Sequence, residues 1–244
     1  MSKGEKVAIH WFRKGLRLHD NPALLEACKS SSVVYPLFVL DPKFCQGQMN
    51  VNRHSFLLEC LSDLDSSLRS VGSRLFVVHG KPEEQLPLLV KKWKADLVTY
   101  ESCSGPYSVD RDRKVANSLR ELNRDIKIST HDTHNLFEAS RYLDYAGKSP
   151  PKTYNAFGLL FDKMGPVRQP VPAPTSSDFK TSVSSMHDGD GGYRVPSLAD
   201  IGYTSADVRI LFLSILLTLS DVSLSFSLSL DLLLPVCLHH TTRI

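Results

Sequence analysis

The sequence predicts an α/β domain, a Rossmann-like five-stranded parallel sheet with helices on both faces. Three observations carry this. Five short apolar runs rich in β-branched and aromatic residues recur before residue 132. The segments between them place apolar residues every three or four positions, the period of a helix buried along one side. The best of the runs are apolar at every position rather than at alternate ones, which suits strands covered on both faces.

Each element has its own signal. Residues 7–12 form the first run. Asn21-Pro22 then opens a helix: asparagine accepts from the orphan amides, and proline fits the first helical position. Residues 33–40 are nearly all apolar. A long helix is expected over residues 52–70, with Leu57, Leu61, Leu64 and Leu68 as its inward stripe. Full burial of each leucine is worth roughly 1.5–3 kcal/mol before entropy is counted. Residues 74–79 read as the third strand. Pro82 starts the next helix, with Glu83 and Glu84 at the positive end of its dipole, and Pro87 is expected to distort its first turns. Residues 97–100 give the fourth strand. Ser108 is the expected cap of a helix that turns Val115, Leu119 and Leu122 inward, and residues 127–131 close the sheet.

Composition bounds the rest. The 244 residues are 42% apolar and 23% charged, ordinary for a folded protein. Net charge is +3, from 29 basic and 26 acidic residues, too small to signal nucleic-acid binding. The five cysteines, Cys28, Cys45, Cys60, Cys103 and Cys237, are odd in number and contain no C-x-x-C. They read as free thiols in a reducing compartment, against a disulfide scaffold or zinc module. Met1 to Lys6 is polar, without the apolar core of a signal peptide. Composition divides the chain into an α/β domain over residues 5–165, a proline- and serine-rich interdomain linker over 166–207, and an apolar tail over 208–244, expected to be poorly ordered.

In parallel sheets of this kind ligands bind beyond the carboxyl ends of the strands. The loops there begin at Arg13, Asp41, Gly80, Glu101 and Asp132. None carries G-x-G-x-x-G or a Walker lysine, which argues against a dinucleotide or P-loop site.

Several blocks resemble the photolyase/cryptochrome family, nearest its animal cryptochrome and (6-4) photolyase branch. They are VAIHWFRKGLRLHDNPAL (Val7 to Leu24), YPLFVLDP (Tyr35 to Pro42), DLDSSLRSVGSRLFVVHGKP (Asp63 to Pro82), PYSVDRD (Pro106 to Asp112), PPKTYNAF (Pro150 to Phe157) and VPSLADIG (Val195 to Gly202). Six blocks in family order over residues 5–205 make coincidence a poor explanation. The resemblance implies an N-terminal α/β domain able to hold a deazaflavin or folate antenna. It also implies a larger helical domain that binds FAD and carries the electron-relay tryptophans and the lesion pocket. The matched blocks stop before that domain, and the tryptophans here are Trp11 and Trp93, so FAD is not expected in this chain. At the level of the gene, the resemblance implies a blue-light photoreceptor or circadian transcriptional regulator, nuclear and cytoplasmic. The alternatives are a (6-4) DNA photolyase and a non-enzymatic module competing for the full-length protein's partners. Family partners are DNA or circadian and transcription proteins.

Candidate residues follow from the same match. Phe38, Leu40, Asp41, Met49 and Arg53 fall on positions that line the antenna in deazaflavin-binding relatives. A flat chromophore with an anionic tail wants an aromatic or thioether face, a cation and a polar anchor. Against this, Cys103 and Gly105 stand where the family usually places Asp and Glu, although Glu101 is kept. The favoured reading therefore takes Phe38 and Leu40 as strand core and Asp41 as a turn into the next helix, with the antenna pocket second. Arg13, Lys14, Arg17 and His19 form a basic loop ahead of a helix N-terminus, read as a solvated loop paired with Asp20 or as an anion site. Lys148 and Lys152 read as surface lysines. His131, Asp132 and His134 lack the third His or Cys of a zinc site. Asp188 and Asp190, set among glycines, read as flexible linker rather than a calcium loop. Cys28 and Cys60 read as small hydrophobes on helix faces.

The tail departs from the family at Val208. Twelve of its 37 residues are leucine and six are serine, a bias that pyrimidine-rich sequence encodes. Val208-Arg209 is compatible with GTA-AGA, a splice-donor consensus, so the tail reads as a translated retained intron. Ile210 to Leu219 is too short for a membrane span, and Asp221 and Asp231 would be costly in a bilayer.

Overall fold

A computed structural model describes residues 5–45, 51–147, 149–183 and 192–204. The elements are β1 (Val7–Phe12), α1 (Pro22–Ser30), β2 (Val33–Leu40), α2 (Pro42–Cys45), α3 (Val51–Ser70), β3 (Phe76–His79), α4 (Pro82–Trp93), β4 (Leu97–Glu101), α5 (Pro106–Leu122), β5 (Lys127–His131), α6 (Ala139–Tyr145) and α7 (Tyr154–Lys163). The sheet is parallel throughout, in the order β3-β2-β1-β4-β5. Its strand order reverses between β1 and β4, and sheets of this class commonly take ligands beyond the carboxyl ends near such a reversal.

The all-apolar run of β2 is explained by its two faces. Tyr35, Leu37 and Val39 join Ile9, Trp11, Phe76 and Val98 beneath α4 and α5, where Leu86, Leu89, Trp93, Val115 and Leu119 are buried. Val34, Phe38 and Leu40 point the other way, onto Leu24, Ala27, Leu58, Leu61, Leu64 and Leu68 of α1 and α3. A strand's alternation sends every second residue to each layer, so a central strand has no polar side to spare.

Several local expectations need correction. Leu58, not Leu57, is buried on α3, and Leu57 is half-buried at the rim of a cavity described below. The helix winds about 100° per residue, so over five turns the buried stripe drifts onto the neighbouring position. Helix α5 begins two residues before Ser108, with Gly105 at the N-cap and Pro106 at the first position. Leu122, at its last turn, is exposed. Pro87 lies inside α4, which runs on to Trp93.

Beneath α1 lies a fully buried polar network. The Asn21 Oδ1 accepts the Leu24 N–H at 3.0 Å, capping the helix. Its Nδ2 therefore donates, to His10 Nε2 at 3.2 Å and the Arg17 carbonyl at 3.3 Å. This fixes the His10 tautomer: Nε2 accepts, and Nδ1–H donates to Thr99 Oγ1 at 2.9 Å. Burial, then the charge of His131, holds the His10 pKa down to about 3, so the ring is neutral.

The segment with linker-like composition lies against the domain. Phe179 and Val183 are buried in the two layers, and Val195, Leu198 and Ile201 pack on the α1–α3 side. The Val77 N–H donates to the Tyr193 carbonyl at 2.9 Å, giving the edge strand β3 a backbone partner. Lys180 donates to the Ser31 carbonyl at 3.0 Å, and the Asp20 N–H to that of Val171 at 2.8 Å. A few spaced apolar residues are enough to dock such a strand-free segment, and its prolines and serines conceal them. The contact boundary of the α/β unit falls after Gly202. Residues 205–244, and with them the tail from 208 onward, lie outside the described residues, as do Lys148, Asp188 and Asp190. No helix among the described residues is long and apolar enough to cross a membrane.

Candidate functional site

At the carboxyl ends of β1 and β2 the backbone turns away from the sheet and leaves a slot of about 190 Å³. Its apolar walls are Trp11, Phe12, Phe38, Leu40 and Leu57, and Lys14, Asp41, Ser108 and Arg111 supply the polar ones. A second, polar basin of about 430 Å³ adjoins it, sharing Asp41 and Arg111, with Lys43, Lys81, Tyr107 and Lys114 among its walls. The slot alone is smaller than the roughly 300–1,000 Å³ usual for a drug-sized ligand; slot and basin together fall within that range.

The slot is braced by charge. Arg13 donates to Asp112 at 2.7 Å and to the Glu101 carbonyl at 2.9 Å. Arg111 donates to the other Asp112 oxygen at 3.0 Å. Both guanidiniums lie over the Trp11 ring, at 4.9 and 4.8 Å from its centroid. Burial raises the Asp112 pKa above the usual carboxylate range, and Arg13 opposes the rise. Asp41 accepts the Lys43 N–H at 3.0 Å and the Tyr107 hydroxyl, and Lys43 Nζ sits 4.4 Å above the Tyr107 ring. Burial and the hydrogen bond to Asp41 push the Tyr107 phenol up, so it stays protonated as a donor.

A second brace holds the loop after β1. The buried Glu101 carboxylate accepts the Gly15 N–H at 3.1 Å and the Thr133 hydroxyl, and lies 3.5 Å from His134 Nε2. Gly15 is required by this contact: a Cβ there would meet Glu101 Oε1 at 2.7 Å and Cδ at 2.8 Å. Beside the slot, burial raises the Cys103 thiol, but hydrogen bonds from Ser108, the Gly105 N–H and Lys14 outweigh it and bring the pKa below the ordinary value. Cys28, by contrast, is pushed up to about 12, first by burial.

The structure brings Phe38, Leu40 and Asp41 together at the slot, where they serve as strand core and cavity wall at once. Arg53 is exposed on α3, one turn before Leu57, and is not among the lining residues; Met49 lies outside the described residues. Of the basic loop, Arg13 is buried rather than solvated, Lys14 lines the slot, and Arg17 pairs with Asp20 at 3.6 Å. His131 turns to Glu26 at 2.7 Å and His134 to Glu101, so the two histidines do not converge. Lys152 is exposed, Cys28 is buried and Cys60 is half-buried. Trp11, Tyr107 and Arg111 went unsingled in the sequence. For Tyr107 and Arg111 the signal is the PYSVDRD block, which places them one helical turn apart on one face of α5, and for Trp11 it is the block from Val7 to Leu24.

An apolar slot opening onto a polar basin lies at the carboxyl edge of this doubly wound parallel sheet, the edge at which sheets of this class commonly take ligands. Residues 8–175 match the DNA photolyase family, and the chain belongs to that family. It is 37% identical to cryptochrome-1 of Macaca fascicularis over 198 residues, 80% of this chain and 33% of that protein. It is 36% identical to cryptochrome-2 of Gallus gallus, again over 80% of this chain and 34% of that protein. The chain thus spans about a third of the length of these relatives. Among solved structures, a cryptochrome of Synechocystis sp. superposes with TM-score 0.65 at 25% identity, over 71% of this chain and 37% of that one. A class III photolyase of Agrobacterium tumefaciens gives 0.64 at 28% identity, over 71% and 35%.

Proposed function

We propose that this chain is the ligand-receiving α/β domain of a cryptochrome-type protein, a blue-light photoreceptor or circadian regulator acting in nucleus and cytoplasm, and that its slot takes a planar aromatic ligand with an anionic tail. The observation that carries the proposal is the joined pair of cavities. Trp11, Phe12, Phe38 and Leu40 offer a flat ring system an apolar seat, while Lys14, Lys43 and Arg111 offer its tail positive charge. Asp41 and Tyr107 offer hydrogen bonds at the junction. Such a ligand would supply light absorption; the chain's own residues bind it, orient it and keep water from its ring. The cryptochrome relatives favour this over repair of (6-4) photoproducts in DNA. A second reading, a module competing for the full-length protein's partners, is favoured by the exposed apolar residues Leu136, Leu143, Tyr154, Phe157 and Leu159 on and beside α6 and α7.

The test uses flavin mononucleotide as a three-ring, anionic probe, titrated into the purified chain and followed by fluorescence. Saturable binding is expected. Arg111→Ala should weaken it by at least about tenfold, or about 1.4 kcal/mol, and Arg53→Ala by less than about twofold. No saturable binding, or equal losses in the two variants, would overturn the ligand reading.

A further inference from the structure

We propose that Arg13 and Arg111 guard Trp11 against electron loss, so that an aromatic ligand seated in the slot keeps its excitation. The inference rests on the ligand reading above for its purpose, but its chemistry belongs to this chain alone. An indole against an excited aromatic ring is ordinarily a liability. It gives up one electron, becomes its radical cation, and takes the same electron back, with no bond made or broken and the light energy lost as heat. Trp11 lines the slot and is therefore placed to do this.

Its surroundings oppose the step. The two guanidinium carbons lie 4.9 and 4.8 Å from the ring centroid. A cation over a neutral indole is attracted by the ring's quadrupole. Once the indole is oxidised, that attraction becomes repulsion between like charges, in a site where solvent screens little because Trp11 is only 2% exposed. Asp112 bonds both guanidiniums and holds them in place, and its one negative charge offsets only one of their two. The next donor in line, Tyr100, lies 5.3 Å from Trp11 and has Arg13 over its ring at 5.4 Å. Burial, then Asp112, pushes its phenol up to about 12, so it is not present as the easily oxidised phenolate. Charge pairing or packing alone would not require both cations to stack on the one tryptophan that faces the cavity.

The test is run on the whole chain without ligand, in a Trp93→Phe background that leaves Trp11 as its sole tryptophan. The one-electron oxidant tris(bipyridine)ruthenium(III), generated by flash excitation of the ruthenium(II) complex with hexaammineruthenium(III) as the electron acceptor, is used at high salt to screen its own charge, and the indole radical is followed by transient absorption. Arg111→Met should speed oxidation of Trp11 by about fivefold or more, while Arg111→Lys, which keeps the charge, should stay within about twofold of the parent. Arg13→Met is the second route if circular dichroism shows Arg111→Met unfolded. Equal rates in the parent and both methionine variants would overturn the guard, and so would an equal rise in Met and Lys variants, which would mark a change of access. Because no ligand is present, this result and the flavin titration can fail separately.

Discussion

Asn21→Ala should remove two stabilising features with one change. The first is the α1 cap, where Oδ1 accepts the Leu24 N–H at 3.0 Å; loss of such a cap costs about 0.5–2 kcal/mol. The second is the donor to His10 Nε2 at 3.2 Å. His10 is fully buried, so its ring nitrogen would be left without a partner, at about 1–3 kcal/mol. The two terms share one side chain and will not add fully, which gives an expected loss of about 2–4 kcal/mol. For a unit of this size that is roughly 5–15 °C in Tm. Asn21→Ser separates the terms: its hydroxyl can still cap the helix but is too short to serve His10 as well. It should fall about midway. Urea unfolding followed by circular dichroism, with thermal melts alongside, provides the measurement. A loss below about 1 kcal/mol in Asn21→Ala, or a serine variant indistinguishable from the parent, would refute the reasoning that His10 depends on this donor.

Other outcomes follow from the same geometry. Gly15→Ala should push aside the Glu101 carboxylate, destabilise the fold by about 1–3 kcal/mol and weaken flavin mononucleotide binding through the displaced Lys14; calorimetry and titration check both. Folded His10 stays neutral down to about pH 3, whereas an unfolded histidine takes up its proton near 6.5, so stability should be full above about pH 6.5 and fall as pH drops through that window. Glu26 acts in the same direction below about pH 4.5: burial raises its pKa, but hydrogen bonds from Lys127, Ser129 and His131 bring it to about 2. Thermal melts from pH 7 to 4 should show the decline, and a His10→Gln variant should flatten its upper part. A chain ending at Asp207 should keep a cooperative transition and aggregate less, because residues 223–230 alternate leucine or phenylalanine with serine and carry no charge. A chain ending at residue 165 should lose cooperativity or at least about 4 kcal/mol, because Phe179 and Val183 leave the core and β3 loses Tyr193; size-exclusion chromatography and melts separate the cases.

The sequence by itself determined the sheet. Strands and helices are local periodicities, and residues 33–40 or the Asn21-Pro22 pair state theirs within a few positions, so β1 to β5 and the helix between each consecutive pair were legible. It determined the family too, because PYSVDRD and its companion blocks keep their order. Burial of Leu58 in place of Leu57 already needed the helix's actual winding against the sheet. Tertiary structure alone decided the rest. Arg13 and Arg111 are 98 residues apart in the chain, and only the adjacency of β1 and β4, with α5 following, brings them to Asp112 and Trp11. Arg53 carries the right charge one turn from Leu57, yet its side chain is exposed, a matter of helix rotation that spacing cannot fix. Residues 166–202 have the composition of a linker, and whether a Phe179 or a Tyr193 finds a groove depends on surfaces built by residues a hundred positions earlier. Periodicity is written locally in a chain, whereas cavities, charge clusters and docked segments are products of which elements become neighbours.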